Sequence, residues 1–272
     1  MADLPDPESE LESSRMPLLE HLKELRDRLI RSAIGIAFGM AVSLYFVQDL
    51  IKLLRKPFDE GCITATEQQR VAGYLAENAS LVCELGVVNS LFEGVYTWLW
   101  TAFLAGLILA MPVVAFQIWG FIAPGLYKSE RRLVYPLAAA SSFLFAGGAA
   151  FCYFVLLPIA MPFFLTVIPD MQTNLSIRGY LGGIATMMIA FGVCFQLPVV
   201  IWFLAKLGLI DHKDLLGSFR YAIVGMFVIA ALITPPDPIT QTALAIPLVM
   251  LYGVGIVVAW FSSTKVREPE SG

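Results

Sequence analysis

The sequence predicts an all-α membrane protein with six transmembrane helices, and two observations carry that prediction. First, 58% of the 272 residues are hydrophobic and only 15% are charged, whereas a soluble domain carries about 25% charged residues. Second, six long stretches contain no charged residue, and a spanning helix needs about 20 apolar residues. These runs lack the alternation of a transmembrane barrel strand. With a net charge of −4 and no basic stripe, the composition also excludes a nucleic-acid binder and a disordered chain.

The chain begins with two distinct segments. Residues 1–15 are acidic, rich in Pro and Ser, and lack the basic start and apolar core of a cleavable signal peptide, so we predict a disordered acidic tail. Residues 16–29 place leucines at spacings of three and four. This spacing predicts an amphipathic helix that leads into the first span.

The transmembrane domain is predicted over residues 16–264, followed by a cytoplasmic tail over residues 265–272. Three prolines, Pro158, Pro162 and Pro169, interrupt the longest charge-free stretch. We therefore expect the third span to end near residue 157, with a bent segment following at the interface. The fifth span is barely long enough to cross a bilayer. The predicted spans cover about residues 30–48, 95–121, 133–157, 179–204, 220–234 and 239–261.

The distribution of lysine and arginine predicts the orientation of the chain. With the N-terminus inside, 13 of the 18 Lys and Arg residues lie in inner segments. The positive-inside rule therefore places both termini in the cytoplasm. Lys52, Arg55 and Lys56 run against this rule, because they fall in the first outer loop.

The sequence lacks the motifs of common intramembrane and nucleotide-dependent enzymes. It contains no His-Glu-x-x-His motif and no Gly-Lys pair of a P-loop. Its two histidines, His21 and His212, fall in segments predicted to be cytoplasmic, so neither can serve as a base at membrane depth. We therefore expect a protein that is not an enzyme, with no catalytic residues, no cofactor and no bound metal.

The four cysteines fall in two environments. Cys152 and Cys194 lie within predicted spans, where a thiol is a small apolar packing group. Cys62 and Cys83 share the first outer loop, residues 49–93, which would face an oxidising bacterial periplasm. We predict a disulfide between Cys62 and Cys83, and two unpaired thiols are the alternative.

Gln196 is the deepest polar side chain of the predicted spans. Its amide is costly to leave unpaired in lipid, so it either serves the function or forms an interhelical hydrogen bond that holds the bundle. The residues alone favour neither role. A small-solute secondary transporter is the alternative class of function, but such proteins usually show internal repeats and charged residues at the midplane. We find neither in the sequence.

Four strings of the sequence together resemble the TatC family, the receptor subunit of the twin-arginine (Sec-independent) protein translocase. The likeness runs from about His21 to Trp260. It implies six helices in a cupped bundle with both termini in the cytoplasm. The strings are HLKELRDRL at 21–29, WGFIAPGLYKSERR at 119–132, AFGVCFQLP at 190–198, and LITPPDPITQ at 232–241 with AIP at 245–247.

The resemblance implies a receptor and scaffold that binds twin-arginine signal peptides of folded proteins. Their export across the bacterial inner membrane would use the proton-motive force. The resemblance assigns signal-peptide binding to Glu24, Glu130, Phe121 and Arg26, and a guanidinium pairs bidentately with carboxylates such as these. The alternative for the two glutamates is a solvated surface pair, Glu24 with Arg28 at i+4 and Glu130 with a neighbouring arginine.

The resemblance also implies partners, namely single-span subunits of the TatA and TatB type in a larger oligomeric complex within membrane lipid. It assigns contacts with their helices to Thr234, Asp237 and Gln241, since polar side chains can hydrogen-bond an incoming helix. Capping of the sixth helix is the alternative for Asp237. Pro57 matches a family proline of the first outer loop and is assigned a structural role. The chain departs from the family at Gln196, where many members carry Glu.

Overall fold

A computed structural model describes residues 7–71, 83–87, 92–123, 134–166, 173–233 and 238–262. This part of the chain is helical apart from two short strands and the turns between helices, which confirms the all-α prediction with the strands as the exception. The strands β1 (Cys83–Val87) and β2 (Thr173–Ser176) pair in parallel. The helices are α1 (Pro7–Tyr45), α2 (Val47–Val71), α3 (Glu93–Ile122), α4 (Val134–Phe151), α5 (Leu157–Thr166), α6 (Ile177–Cys194), α7 (Leu197–Lys206), α8 (His212–Gly217), α9 (Phe219–Ile233) and α10 (Pro238–Ser262).

Five helical segments are long and apolar enough to cross a membrane, and α9 adds a shorter apolar helix. Together they give the six-helix membrane fold that the sequence predicts. The shorter helix covers Phe219–Leu232, and two prolines follow it in the sequence, where they cannot continue a helix. The five longer segments are Glu20–Tyr45, Glu93–Ile122, Val134–Thr166, Ile177–Lys206 and Gln241–Phe261.

The first helix begins earlier than the sequence analysis predicts. α1 starts at Pro7, so residues 7–15 of the predicted disordered tail are helical, and residues 1–6 lie outside the described part. Proline suits the first turn of a helix, because its missing N–H needs no partner there, and nearby acidic residues favour the positive end of the helix dipole. The tail, the amphipathic segment and the first span thus form one helix of 39 residues.

The third span continues past residue 157, where we expected it to end. α4 passes through a π-helical turn, Cys152–Leu156, directly into α5. The result is a helical segment of 33 residues, Val134–Thr166. Pro158 has no N–H to donate to the preceding turn of the helix. The wider π-helical turn before it accommodates this missing hydrogen bond. The prolines therefore reshape this helix without ending it.

The first outer loop of the prediction contains an amphipathic helix of 25 residues, α2. One face of α2 packs against α5 and α6, and Phe58 meets Tyr180 of α6 edge to face at 5.2 Å. Gly61 lets α2 approach α5 closely, since a Cβ at that position would lie 2.6 Å from Cβ of Met161. The buried residues along this face are Leu54, Pro57, Phe58, Gly61, Ala65 and Gln69.

The backbones of α1 and α3 touch at a pair of glycines. A Cβ at Gly39 would lie 2.5 Å from the carbonyl oxygen of Gly106, so no larger residue fits at this crossing. Small residues allow this close approach between transmembrane helices. Ser43 lies one turn further along α1 and donates its hydroxyl to the Gly39 carbonyl at 2.9 Å. This crossing holds α1 against α3 and so fixes the relative positions of their ends.

Candidate functional site

The candidate site lies where the N-terminal half of α1 meets the C-terminal end of α3. His21 of α1 stacks on Phe121 of α3, with ring centroids 4.4 Å apart and planes inclined by 21°. Stacked aromatic pairs of this kind add to the energy of simple burial. The structure therefore brings the α1 turn that carries Glu24 together with Phe121, two of the residues that the sequence assigns to one site.

Glu24 is held by an arginine of its own helix. The Nε and Nη2 atoms of Arg28 donate to Oε1 of Glu24 at 2.9 and 2.7 Å. Glu24 is 33% exposed and Arg28 is 22% exposed, so water reaches this pair less than an ordinary surface pair. Oε2 of Glu24 accepts no hydrogen bond from any residue that the structure describes. The i+4 pair considered in the sequence analysis is thus present, and it engages one carboxylate oxygen.

Gly120 of α3 provides the space for the Arg28 guanidinium. A Cβ at Gly120 would lie 2.3 Å from Nη1 and 3.1 Å from Cζ of Arg28. Any larger residue at Gly120 would have to move the guanidinium. Because residue 120 of α3 has no side chain, Arg28 can lie against α3 and pair with Glu24.

The Glu24 carboxylate borders a polar cleft of about 370 Å³. Equal numbers of acidic and basic side chains line the cleft, so it carries no net formal charge. Arg26 is not among the lining residues; its side chain is 65% exposed and pairs with Asp27 at 2.9 Å. The lining residues are Glu20, Lys23, Glu24, Asp27, Arg28 and Arg31.

Of the remaining residues that the sequence analysis assigns to binding or partner contact, the structure describes only Gln241. Glu130, Thr234 and Asp237 lie outside the described residues. Gln241 is described, and its Nε2 atom donates to the carbonyl oxygen of Phe227 at 3.1 Å. This hydrogen bond ties α10 to α9.

Gln196 sits at the break between α6 and α7. Its Nε2 atom donates to the carbonyl oxygens of Ser141 at 3.0 Å and Gly192 at 3.3 Å. The hydroxyl of Ser141 in turn accepts from Nε1 of Trp119 at 2.9 Å. Three spans thus share one polar network. Of the two roles open to Gln196, the geometry supports the interhelical hydrogen bond.

The sequence analysis missed a buried carboxylate at the start of α3. Glu93 is only 4% exposed. It accepts a hydrogen bond from the Ser176 hydroxyl and another from the backbone N–H of Arg178 at 3.3 Å. The Arg178 guanidinium lies 4.1 Å above the ring of Tyr96, a cation–π contact. Glu93 thereby joins the start of α3 to the start of α6. The signal in the sequence that could have indicated this residue is a single acidic side chain directly before a long apolar run.

The cysteines of the spans and of the outer region differ in chemical state. Cys152 and Cys194 carry free thiols, whereas Cys62 on α2 is disulfide-bonded. The side chain of Cys83 lies outside the described part. Since the chain has four cysteines, these observations support the Cys62–Cys83 bridge, which remains our proposal.

These features define a multi-spanning helical membrane protein with a polar cleft on α1, next to the contact between α1 and α3. The described residues contain no group of three or more His, Cys, Asp or Glu that could hold a metal ion. A family model described as "TatC: Sec-independent protein translocase protein (TatC)" matches residues 20–247. The chain therefore belongs to the TatC family.

Curated relatives and solved structures agree with this assignment. "Sec-independent protein translocase protein TatC" of Azotobacter chroococcum mcd 1 is 39% identical over 258 residues, covering 94% of this chain and 92% of that protein. The protein of the same name from Escherichia coli (strain K12) is 36% identical over 255 residues, covering 93% and 92%.

A "Crystal Structure of Twin Arginine Translocase Receptor- TatC" superposes with a TM-score of 0.72 at 33% identity, covering 90% of this chain and 100% of that one. The chain is thus a component of the Sec-independent protein translocase. This family consists of translocase components and is not an enzyme family, as the sequence predicts.

Proposed function

We propose that the cleft beside Glu24 recognises the twin-arginine signal peptides of folded precursor proteins. The observation that carries this proposal is the Oε2 atom of Glu24, which accepts no hydrogen bond from the described residues and belongs to a partly exposed carboxylate. An ionised carboxylate oxygen accepts N–H groups from a guanidinium with charge-assisted strength. The likeness to solved structures described as twin arginine translocase receptors supports the assignment.

The stacked rings beside Glu24 suit a guanidinium better than an ammonium group. His21 lies one turn before Glu24 on α1 and stacks on Phe121, and the outer faces of these two rings are the proposed aromatic surface beside the cleft. An arginine side chain can stack its planar group on such a surface while donating hydrogen bonds in its plane. A lysine ammonium is a strongly hydrated point charge and lacks the planar fork, so we expect a twin-lysine peptide to bind more weakly.

A second carboxylate is needed for the second arginine, and we propose that Glu130 provides it. α3 ends at Ile122, and Glu130 follows eight residues later in the sequence. The segment that carries it therefore begins beside Phe121. Arg26, which pairs with Asp27 on the adjoining side of α1, is proposed to line the edge of the same surface.

We propose further that the chain acts in the bacterial inner membrane with both termini in the cytoplasm. The distribution of Lys and Arg supports this orientation. In the proposal, single-span subunits of the TatA and TatB type dock against α9 and α10 through Thr234, Asp237 and Gln241. Hydrogen bonds between membrane helices are worth about 0.6–2 kcal/mol, enough to direct such docking. The proton-motive force is the proposed source of energy for export.

Site-specific crosslinking of a twin-arginine precursor to the chain in membranes tests the recognition site. Glu24→Gln and Glu130→Gln keep the shape of each side chain and remove its charge. Each should weaken precursor binding by about 1–3 kcal/mol, the scale of a hydrogen bond to a charged group. A twin-lysine precursor is the ligand control, and Glu67→Gln is the matched variant control, because Glu67 is an exposed acid paired with Arg70 on α2. Unchanged crosslinking in the double variant would overturn the proposal.

A further inference from the structure

We propose that Arg28 is an internal ligand of the recognition carboxylate. In the resting protein Arg28 occupies the position of a signal-peptide arginine, and the peptide binds by displacing it from Glu24. This inference rests on the proposed function and concerns the regulation of that same site. It makes Arg28 the residue that sets the affinity of the receptor for its peptide.

The geometry of the Glu24–Arg28 pair matches the interaction that a peptide arginine would make. Arg28 donates through two N–H groups to a single oxygen of Glu24, at 2.9 and 2.7 Å. A peptide guanidinium can first engage the other oxygen, Oε2. The stronger bidentate arrangement requires both oxygens of the carboxylate. A peptide arginine that adopts it must therefore take the place of Arg28.

The charge of the cleft favours displacement over sharing. With Arg28 in place, the three acids and three bases of the lining cancel. If Arg28 leaves, the lining has one acidic group in excess and attracts a dicationic peptide. If Arg28 stays, two guanidinium groups share one carboxylate and repel each other at close range. The exchange of one guanidinium for another thus retains the ion pair of Glu24, and the displaced Arg28 is the group that gives up its partner.

Gly120 holds Arg28 in its resting position by leaving room for it. Nη1 of Arg28 lies 2.3 Å from where a Cβ of residue 120 would be. Nη1 is at the far end of a flexible side chain, so an alanine at this position can push the guanidinium away while the helices stay in place. Gly120→Ala therefore perturbs Arg28 without changing Glu24 or the charge of the cleft.

The displacement of Arg28 from Glu24 also affects the release of the signal peptide. The apparent affinity for the peptide is reduced by the fraction of time that Arg28 occupies Glu24. Once the peptide begins to leave, the side chain of Arg28 can return to the carboxylate and compete with rebinding. The internal arginine thus weakens the resting site and assists release after export.

The test measures binding of a fluorescent peptide that carries two consecutive arginines before an apolar segment. The full chain is used, reconstituted in nanodiscs of phosphatidylcholine and phosphatidylglycerol, and a twin-lysine peptide is run in parallel. Arg28→Gln should tighten binding of the twin-arginine peptide by about threefold to tenfold, the range for a partly shielded, hydrogen-bonded ion pair. Gly120→Ala should tighten it in the same direction, and the double variant should add nothing further.

Three controls isolate the mechanism. Arg220→Gln removes one exposed arginine elsewhere, on α9, and should leave binding unchanged if the effect is not one of overall charge. Gly225→Ala adds a Cβ that meets nothing within 4 Å and should likewise have no effect. In a Glu24→Gln background, Arg28→Gln should no longer tighten binding, since the two residues act through one another.

The outcomes separate this inference from the proposed function. If Glu24→Gln weakens binding but Arg28→Gln or Gly120→Ala leaves it unchanged or weaker, Arg28 is not an internal ligand and the recognition site stands. If Glu24→Gln itself leaves binding unchanged, the recognition site is wrong and this inference fails with it. Tightening in both variants, lost in the Glu24→Gln background, supports the inference.

Discussion

The hydroxyl of Tyr153 donates a hydrogen bond to the carbonyl oxygen of Leu53 at 2.7 Å. In a regular helix this carbonyl would accept from the residue four positions later. That residue is Pro57, which has no N–H to donate. A side chain in the π-helical turn of the third span therefore satisfies the acceptor that the proline of α2 leaves open, and it joins two elements 100 residues apart in sequence.

Tyr153→Phe should lower the free energy of unfolding by about 1–3 kcal/mol, because it leaves a shielded acceptor without a donor. Thermal unfolding of the purified chain in detergent measures this loss. Pro57→Ala in the Tyr153→Phe background returns a backbone N–H to the Leu53 carbonyl and should recover part of it. Tyr135→Phe is the control, since Tyr135 is 70% exposed. Equal stability of Tyr153→Phe and the unaltered chain would contradict this role.

Glu93→Leu should destabilise the junction of α3 and α6 by about 1–3 kcal/mol, since the Ser176 hydroxyl and the Arg178 N–H lose their acceptor. Glu93→Gln keeps one amide oxygen as an acceptor and should cost less. Asp49→Asn is the control, because Asp49 pairs with Lys52 where both side chains are 75% exposed. The measurement is thermal unfolding with hydrogen exchange at the start of α6. If Glu93→Leu unfolds at the same temperature as the unaltered chain, Glu93 does not stabilise this junction.

Gln241→Leu combined with Thr234→Val should weaken association with single-span partner subunits by about 0.5–2 kcal/mol, because both changes remove hydrogen-bonding groups from the proposed docking face. Co-purification of the partners with the chain is the readout. Gln241 also donates to the Phe227 carbonyl, so the stability of the chain alone is measured alongside. Undiminished co-purification would remove this face as the docking site.

The disulfide prediction is tested by alkylation and mass spectrometry of protein denatured without reductant. Cys152 and Cys194, which carry free thiols, should be alkylated. Cys62 and Cys83 should appear as one linked peptide pair, and reduction should release it. In the chain-entropy model, a bridge that closes the loop between Cys62 and Cys83 stabilises the fold by about 3 kcal/mol. Alkylation of Cys83 in unreduced protein would refute the pairing.

Much of the fold could be predicted because membrane spans are local patterns. Each charge-free run is long enough to form a helix by itself. In lipid the backbone must pair its own N–H and C=O groups, which a helix does within one segment. The end of the third span could not be predicted in the same way. Proline rules treat each residue alone, whereas the π-helical turn at Cys152–Leu156 is an adjustment of the surrounding helix.

The candidate site was predictable only in part, for a related reason. Glu24 and Phe121 stand out through strings of sequence, but Glu93 accepts its hydrogen bond from Ser176, 83 residues away. Likewise the meaning of Gly120 depends on Arg28, which belongs to another helix. Contacts between distant segments leave no periodic trace in the sequence, and they account for what the sequence analysis missed.

The touching glycines of α1 and α3 also limit how the receptor can move. Sliding of α1 along α3 would drive the Gly39 region into the backbone of Gly106, whereas the crossing itself permits α1 to tilt about this point. At 1.5 Å per residue, Glu24 lies about 22 Å from the pivot along α1, and Tyr45 lies about 9 Å beyond it on the other side. The helix is therefore a lever with unequal arms. A sideways displacement of its Glu24 end on peptide binding would reach the opposite end reversed in direction and reduced to less than half.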